Sequence, residues 1–335
     1  MSSAADTTPA LRTIDVHAHF LPPVYREALR DAGLKTLDGG MPIPEWTAER
    51  ALAVMNEVGI AAAVLSVSSP HVSFAEPARA ASLCRSINDH AAELKRRHPD
   101  RFGAHAILPL PDMAASLAEL ERALDQLDLD GVALPTHAEG HYLGDARLAP
   151  LLEALDERAA TVFVHPTSPC CFESFGLALP APMIEFPFDT TRAAASLLYS
   201  GSLARHPRIA FILPHAGGTL PFLAPRIAAV GSIPALGRRA VPPADAMQAF
   251  ARFHYDTALA VTPQQIAALR ILAPPSQLLY GTDYPFANEG VVRMAEAAFA
   301  ALPFPPDERE AIRAGNAARL FPALIDRRSP TETAR

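Results

Sequence analysis

Eight short apolar runs, each followed by an amphipathic stretch, limit what this chain can fold into more than any other feature of it. The runs are LRTIDV (11–16), AAAVLSV (61–67), FGAHAIL (102–108), GVAL (131–134), TVFVH (161–165), RIAFIL (208–213), RFHYDT (252–257) and QLLY (277–280). Most are apolar on both faces, the pattern of parallel strands covered on both sides. Between them apolar residues recur at spacings of three and four. Ala80, Leu83, Cys84, Ile87 and Ala91 do so in 78–97, and Leu117, Leu120, Leu124 and Leu127 in 113–127. Stretches 147–159, 189–204, 218–230, 263–272 and 290–301 behave alike, and Asp112, Asp145 and Asp189 carry helix-start chemistry. Eight such units predict an α/β fold, a distorted TIM (β/α)8 barrel with an insertion after strand five. That reading is preferred to a doubly wound sheet because polar residues gather at the strand C-termini. No linker interrupts the pattern, so residues 11–325 are expected to form one domain between a disordered leader (1–10) and a disordered tail (326–335).

Composition excludes several classes. Half the residues are hydrophobic and 19% are charged, which rules out disorder for most of the chain. A net charge of −7 opposes general affinity for nucleic acid. No apolar run approaches membrane-spanning length, and the start, MSSAADTTPA, lacks the basic end and apolar core of a secretory signal. Three cysteines (Cys84, Cys170, Cys171) cannot make a disulfide framework, so a reducing cytoplasm is the expected location.

The first strand ends Asp15-Val16-His17-Ala18-His19, and residues two apart on a strand face the same way. His165 ends strand five, His215 ends strand six, and Asp283 follows strand eight. Singly, each reads equally well as a satisfied core histidine or a loop-capping aspartate. Jointly they put imidazoles and a carboxylate at the end of the barrel where such enzymes place their sites, and these are ligand types for zinc or a similar divalent ion.

The segments DVHAHF, VHPTSP, PHAGG and YGTDYP resemble the amidohydrolase superfamily, and within it the metal-dependent non-oxidative decarboxylases. That branch includes α-amino-β-carboxymuconate-ε-semialdehyde, γ-resorcylate and 6-methylsalicylate decarboxylases. GMPIPEWTAERALAVMNEVGIAAAVLS (40–66) is most similar to the last group. The resemblance runs from residue 14 to about 320 and implies that His17, His19, His165 and Asp283 hold the metal, with His215 as the acid–base histidine. It also implies that Arg226 binds a substrate carboxylate, in its own or a neighbouring subunit's site; a surface role on its helix stands equally open. One departure matters: the semialdehyde decarboxylase carries a substrate arginine five residues after the tryptophan matching Trp46. Here that position is Ala51, with Arg50 turned about 100° away around a helix. A substrate with one carboxylate suits this better than one with two.

Binuclear members use a carboxylated lysine after strand four, where this chain has Pro135-Thr136. Its only lysines, Lys35 and Lys95, lie elsewhere in the sequence. One divalent ion per chain is therefore expected, zinc by the three histidines with manganese as the alternative, and no organic cofactor. The implied reaction protonates the ring carbon of a small hydroxylated aromatic acid and releases carbon dioxide, Asp283 being the donor and His215 its hydrogen-bonded partner. The competing reading is a hydrolase of a lactone, ester or amide using a metal-activated water. In the insertion 166–180, Phe172 and Phe175 are candidates to stack on a planar ring, or plain loop packing. Tyr284 and His141 are candidate substrate contacts. His71, His105, His137 and His254 read as barrel or loop residues, and Cys170-Cys171 as wall residues. The apolar helices and Arg226 suggest a homodimer or a dimer of dimers.

Overall fold

A computed structural model describes residues 13–236 and 239–328. The expected leader (1–10) and the end of the expected tail (329–335) lie outside those residues, and the final helix runs to Arg328.

Eight parallel strands are hydrogen-bonded in sequence order. They are β1 (Thr13–His19), β2 (Ile60–Ser66), β3 (Phe102–Ile107), β4 (Gly131–Pro135), β5 (Thr161–His165), β6 (Ala210–Leu213), β7 (His254–Asp256) and β8 (Leu278–Leu279). The sheet curls until its edges meet. The Val16 amide donates to the Tyr280 carbonyl (3.0 Å), the His19 amide donates to Tyr284 (2.7 Å), and Ala18 bridges Tyr284 in parallel. The result is a TIM-like barrel, as the eight repeating units predict.

Each strand is followed by a principal helix: α1 (Ala48–Val58), α2 (Pro77–Arg97), α3 (Met113–Glu121), α4 (Ala149–Glu157), α5 (Ala181–Tyr199), α6 (Leu220–Gly231), α7 (Pro263–Leu272) and α8 (Glu289–Ala301). Local chemistry sets their ends. Thr47 caps α1, Asp112 caps α3, and Thr262 with Gln265 forms a reciprocal capping box at α7. Asp145 caps a single turn leading into α4. Asp189 departs from its expected role, because α5 begins eight residues earlier, at Ala181. Pro187 inside that helix disguises its first two turns in the sequence. Instead of capping, the buried Asp189 carboxylate accepts the hydroxyls of Thr136 and Tyr142 (the latter at 2.5 Å), tying α5 to the loops after β4.

Apolar side chains form two layers. The larger lies between strands and helices. The smaller fills the barrel's lower interior, where Ile14, Val16, Val64, Phe163, Ile212 and Leu279 meet Phe321 and Leu324 of the C-terminal segment, closing the floor. The C-terminal ends of the strands stay open and bear the site.

Candidate metal centre and its cavity

The sequence reading brings His17, His19, His165 and Asp283 together, and so does the fold. β1 delivers His17 and His19 fully buried, β5 delivers His165, and the turn after β8 delivers Asp283 at φ +65°. Asp15 fixes that turn to β1, since its carboxylate accepts the Thr282 amide (3.1 Å), the Thr282 hydroxyl (2.5 Å) and the His17 amide (3.0 Å). Burial pushes Asp15 up to about 7 against those hydrogen bonds.

Each histidine of the cluster is committed on its Nδ1 side. His17 Nδ1–H donates to Asp256 Oδ2 (2.9 Å), His19 Nδ1–H to the Ser66 carbonyl (3.2 Å), and His165 Nδ1–H to the Pro166 carbonyl (2.8 Å). Those acceptors select the tautomer whose Nε2 carries a lone pair. Two bare Nε2 atoms, of His17 and His19, then stand 3.1 Å apart, a repulsive contact unless something positive lies between them. Asp283 Oδ1 is 3.1 Å from His19 Nε2 and 3.4 Å from His17 Nε2. Ligands bound at 2.0–2.1 Å in a tetrahedron are about 3.3 Å from one another, so this spacing fits a small divalent ion. Ligand atoms of His17, His19 and His165 all fall within 4.8 Å of each other. The electrostatics agree. Burial works against a proton on His17, yet the carboxylates of Asp256 and Asp283 outweigh it and carry that imidazole up to about 10. Asp283 responds in kind: burial would raise it, but His17 and His19 hold it well below the usual carboxylate range. Burial and neighbouring histidines keep His165 neutral. The cluster is a demand for positive charge.

Asp256 escaped the sequence reading. It ends β7 at the level where His165 ends β5 and is fully buried, one oxygen on His17 and the other accepting the amides of His215 (2.9 Å) and Ala258 (3.0 Å). The signal was available, since an acid closing a buried strand is the same kind of mark as His165. His215 stands at φ +53°, its ring 4.9 Å from that of His17, and Nδ1–H donates to the Ala258 carbonyl (2.9 Å). The expected hydrogen bond between His215 and Asp283 is not among the contacts of the described residues, although both face one cavity.

That cavity, about 420 Å³, is lined by Asp38, Ser68, His165, His215 and Asp283 and by apolar side chains including Phe186 and Phe286. The remaining candidates lie elsewhere. Phe172 and Phe175 border a separate pocket beside Ile184, Tyr284 faces another with Arg50, and Arg226 is exposed on α6 in a groove with Arg192 and Tyr199. Arg50 pairs with Glu289 on the surface (3.0 Å). His71 packs edge-on to His165, His105 stacks on Phe163 inside the barrel, and His254 is half-buried in β7. His137 bonds the Ser168 carbonyl, and His141 lies against Arg147 outside the cavity. Cys170 and Cys171 are exposed. Lys95 pairs with Asp130 (3.0 Å) and Lys35 is exposed; neither lines the cavity.

The sequence pattern of the family described as Amidohydrolase matches residues 14–323. A 6-methylsalicylic acid decarboxylase of Penicillium expansum is 37% identical over 317 residues, covering 93% of this chain and 96% of that protein. A crystal structure described as amidohydrolase II superposes with a TM-score of 0.86 at 34% identity, over 92% of this chain and 99% of the other. A dihydroxybenzoic acid decarboxylase from Polaromonas sp. JS666, solved with manganese and the inhibitor 2-nitroresorcinol, has a TM-score of 0.78 at 24% identity. It covers 92% of this chain and 96% of its own and speaks for the shared fold.

Proposed function

Because the chain belongs to the amidohydrolase family and its curated relatives there are decarboxylases, we propose that it removes carbon dioxide, without an oxidant, from a small hydroxylated aromatic acid of the 6-methylsalicylate kind. The observation that carries this reading is the pair of lone-pair-bearing imidazoles meeting Asp283 at metal-ligand spacing, Asp283 itself lining, with His165, a cavity of about 420 Å³. Decarboxylation is supported over the hydrolysis that the same centre could perform, since the named relatives share that chemistry over nearly the full chain.

His17, His19, His165 and Asp283 would hold one divalent ion. Three imidazoles favour zinc, and manganese is the alternative supported by the Polaromonas structure. Bound there, the ion would supply a positive charge against which a carboxylate and a neighbouring phenolic oxygen can be oriented. Every other task falls to side chains. Phe186 and Phe286 offer apolar faces to the ring. Asp283, a carboxyl that strongly prefers its anion, is a strong acid once protonated and can give that proton to the ring carbon bearing the carboxylate. The carbon–carbon bond then breaks, its electron pair returns to the ring, and carbon dioxide leaves. His215, anchored through Nδ1, keeps Nε2 free to return a proton to Asp283 from solvent. Arg226 would reach a neighbouring subunit's cavity, in keeping with its exposed place on α6, and a homodimer or dimer of dimers belongs to the same reading. Among the described residues no helix is long and apolar enough to cross a membrane, and a cytoplasmic location remains part of the proposal.

Metal analysis with 6-methylsalicylate turnover tests this. One ion per chain, with carbon dioxide and 3-methylphenol formed and both ion and product lost in His165→Ala, is the expected result. Two ions per chain, or no product from any hydroxybenzoate, would overturn it.

A further inference from the structure

The cavity has a second pole that the chemistry above does not use. Opposite in sign to what a carboxylate substrate would need, its lining includes no lysine or arginine among the described residues, yet it includes the carboxylate of Asp38. This aspartate sits in a tight turn, Asp38–Gly40, before α1. Its Oδ2 accepts three hydrogen bonds, from the Ser69 hydroxyl (2.6 Å), the Thr167 hydroxyl (2.8 Å) and the Ser168 amide (2.7 Å). Oδ1 takes none of these. The donors belong to the loops after β2 and β5, which also carry Ser68 and His165, and the Ser68 hydroxyl lies 3.1 Å from His165 Nε2. The turn is seated as firmly from behind: Gly39 is at φ +65°, and a Cβ there would come within 2.5 Å of Ala181 Cβ at the start of α5. Burial alone would raise Asp38, but the hydrogen bonds from Ser168, Ser69 and Thr167 outweigh it and hold the group below the usual carboxylate range. It is a fixed anion on a wall shared with His165 and Asp283.

Resting on the decarboxylase reading, we infer that Asp38 is a specificity-determining residue: its Oδ1 admits an aromatic acid with one carboxylate, accepts a hydrogen bond from a ring hydroxyl, and rejects a second carboxylate. A second anionic group would meet Asp38 where the described residues that line the cavity include no lysine or arginine, and like charges brought together in a partly dry site repel strongly. This agrees with the surface position of Arg50, the nearest residue in sequence to the missing substrate arginine.

Asp38→Asn separates charge from structure. All three groups that bond Oδ2 are donors, so the amide carbonyl oxygen can keep their hydrogen bonds while NH₂ replaces Oδ1. The measurement is calorimetric binding of salicylate and 4-hydroxyisophthalate to the metal-loaded protein, with metal content and Tm recorded for each variant. The wild type should prefer salicylate by tenfold or more, Asp38→Asn should cut that preference at least tenfold, and Asp38→Glu should retain it. Equal affinity of the wild type for the two acids, or an unchanged ratio in a folded, metal-loaded Asp38→Asn, would overturn the inference. Discrimination without turnover of any hydroxybenzoate would leave the filter and remove the decarboxylase; turnover of 6-methylsalicylate without discrimination would do the reverse. Binding of neither acid by the wild type overturns both.

Discussion

At the scale of single residues, the centre depends on groups that never touch its middle. Asp256 spends one oxygen on His17 and the other on two backbone amides, so Asp256→Asn can satisfy only one side with its carbonyl. Loss of such a partner typically weakens metal binding about 10–100-fold, and a chelator-competition titration of Asp256→Asn should show a loss of that order. Unchanged affinity would mean that the tautomer of His17 is set elsewhere. His105 makes a different case. Both its ring nitrogens are buried without a partner, and burial takes its pKa down to about 3 from 6.5. The unfolded chain therefore binds a proton that the folded one refuses. The stability tied to a neutral His105 is intact above pH 6.5 and drains away as pH falls toward 3, at roughly 1.4 kcal/mol per unit. Denaturant unfolding of His105→Leu between pH 7 and 4 should show a flatter dependence than the wild type.

Elements position these residues, and here the sequence was less legible. The motifs named four ligand candidates and His215 because a polar residue ending an apolar strand contradicts its surroundings. Asp256 obeys the same rule, but β7 is only three residues long and its run carries polar ends, which hid the contradiction. Asp38 gives no local sign at all, since its meaning comes from loops some 30 and 130 residues away. The start of α5 was obscured because Pro187 is read as a break, whereas the helix keeps it and its carbonyl accepts the Thr191 hydroxyl (2.9 Å). That carbonyl also crowds Gly218, three residues after His215: φ is +64°, and a Cβ there would lie 2.2 Å from Pro187 O. Gly218→Ala combines left-handed strain with a backbone clash and should lower stability by more than about 1 kcal/mol. Because the displaced turn carries His215, kcat should fall further than metal content does; equal losses would point to general unfolding.

Across the whole molecule the barrel has an open top and a stoppered bottom. Phe321 packs with Phe163, Ile14 and Val16 beneath the strands and stands 5.7 Å, ring to ring, from His105. Phe321→Ala should cost on the order of 3–5 kcal/mol, read by chemical denaturation, although the residue lies at the opposite end of the barrel from the cavity. The eightfold repeat announced the barrel, but nothing local in 312–324 announced a floor, because a helix that plugs a barrel is written like a helix that flanks one.

The seam of the barrel has a further meaning in time. Asp15 and Thr282, 267 residues apart, are the clasp by which the first strand takes up the turn that carries Asp283. During synthesis His17 and His19 are made more than 260 residues before Asp283, the acid that joins their cluster. A nascent chain thus holds its two histidines without their carboxylate until the closing strand is released. The contact that closes the barrel is therefore also the one that brings the carboxylate to the histidines, so ring closure and assembly of the cluster are a single event.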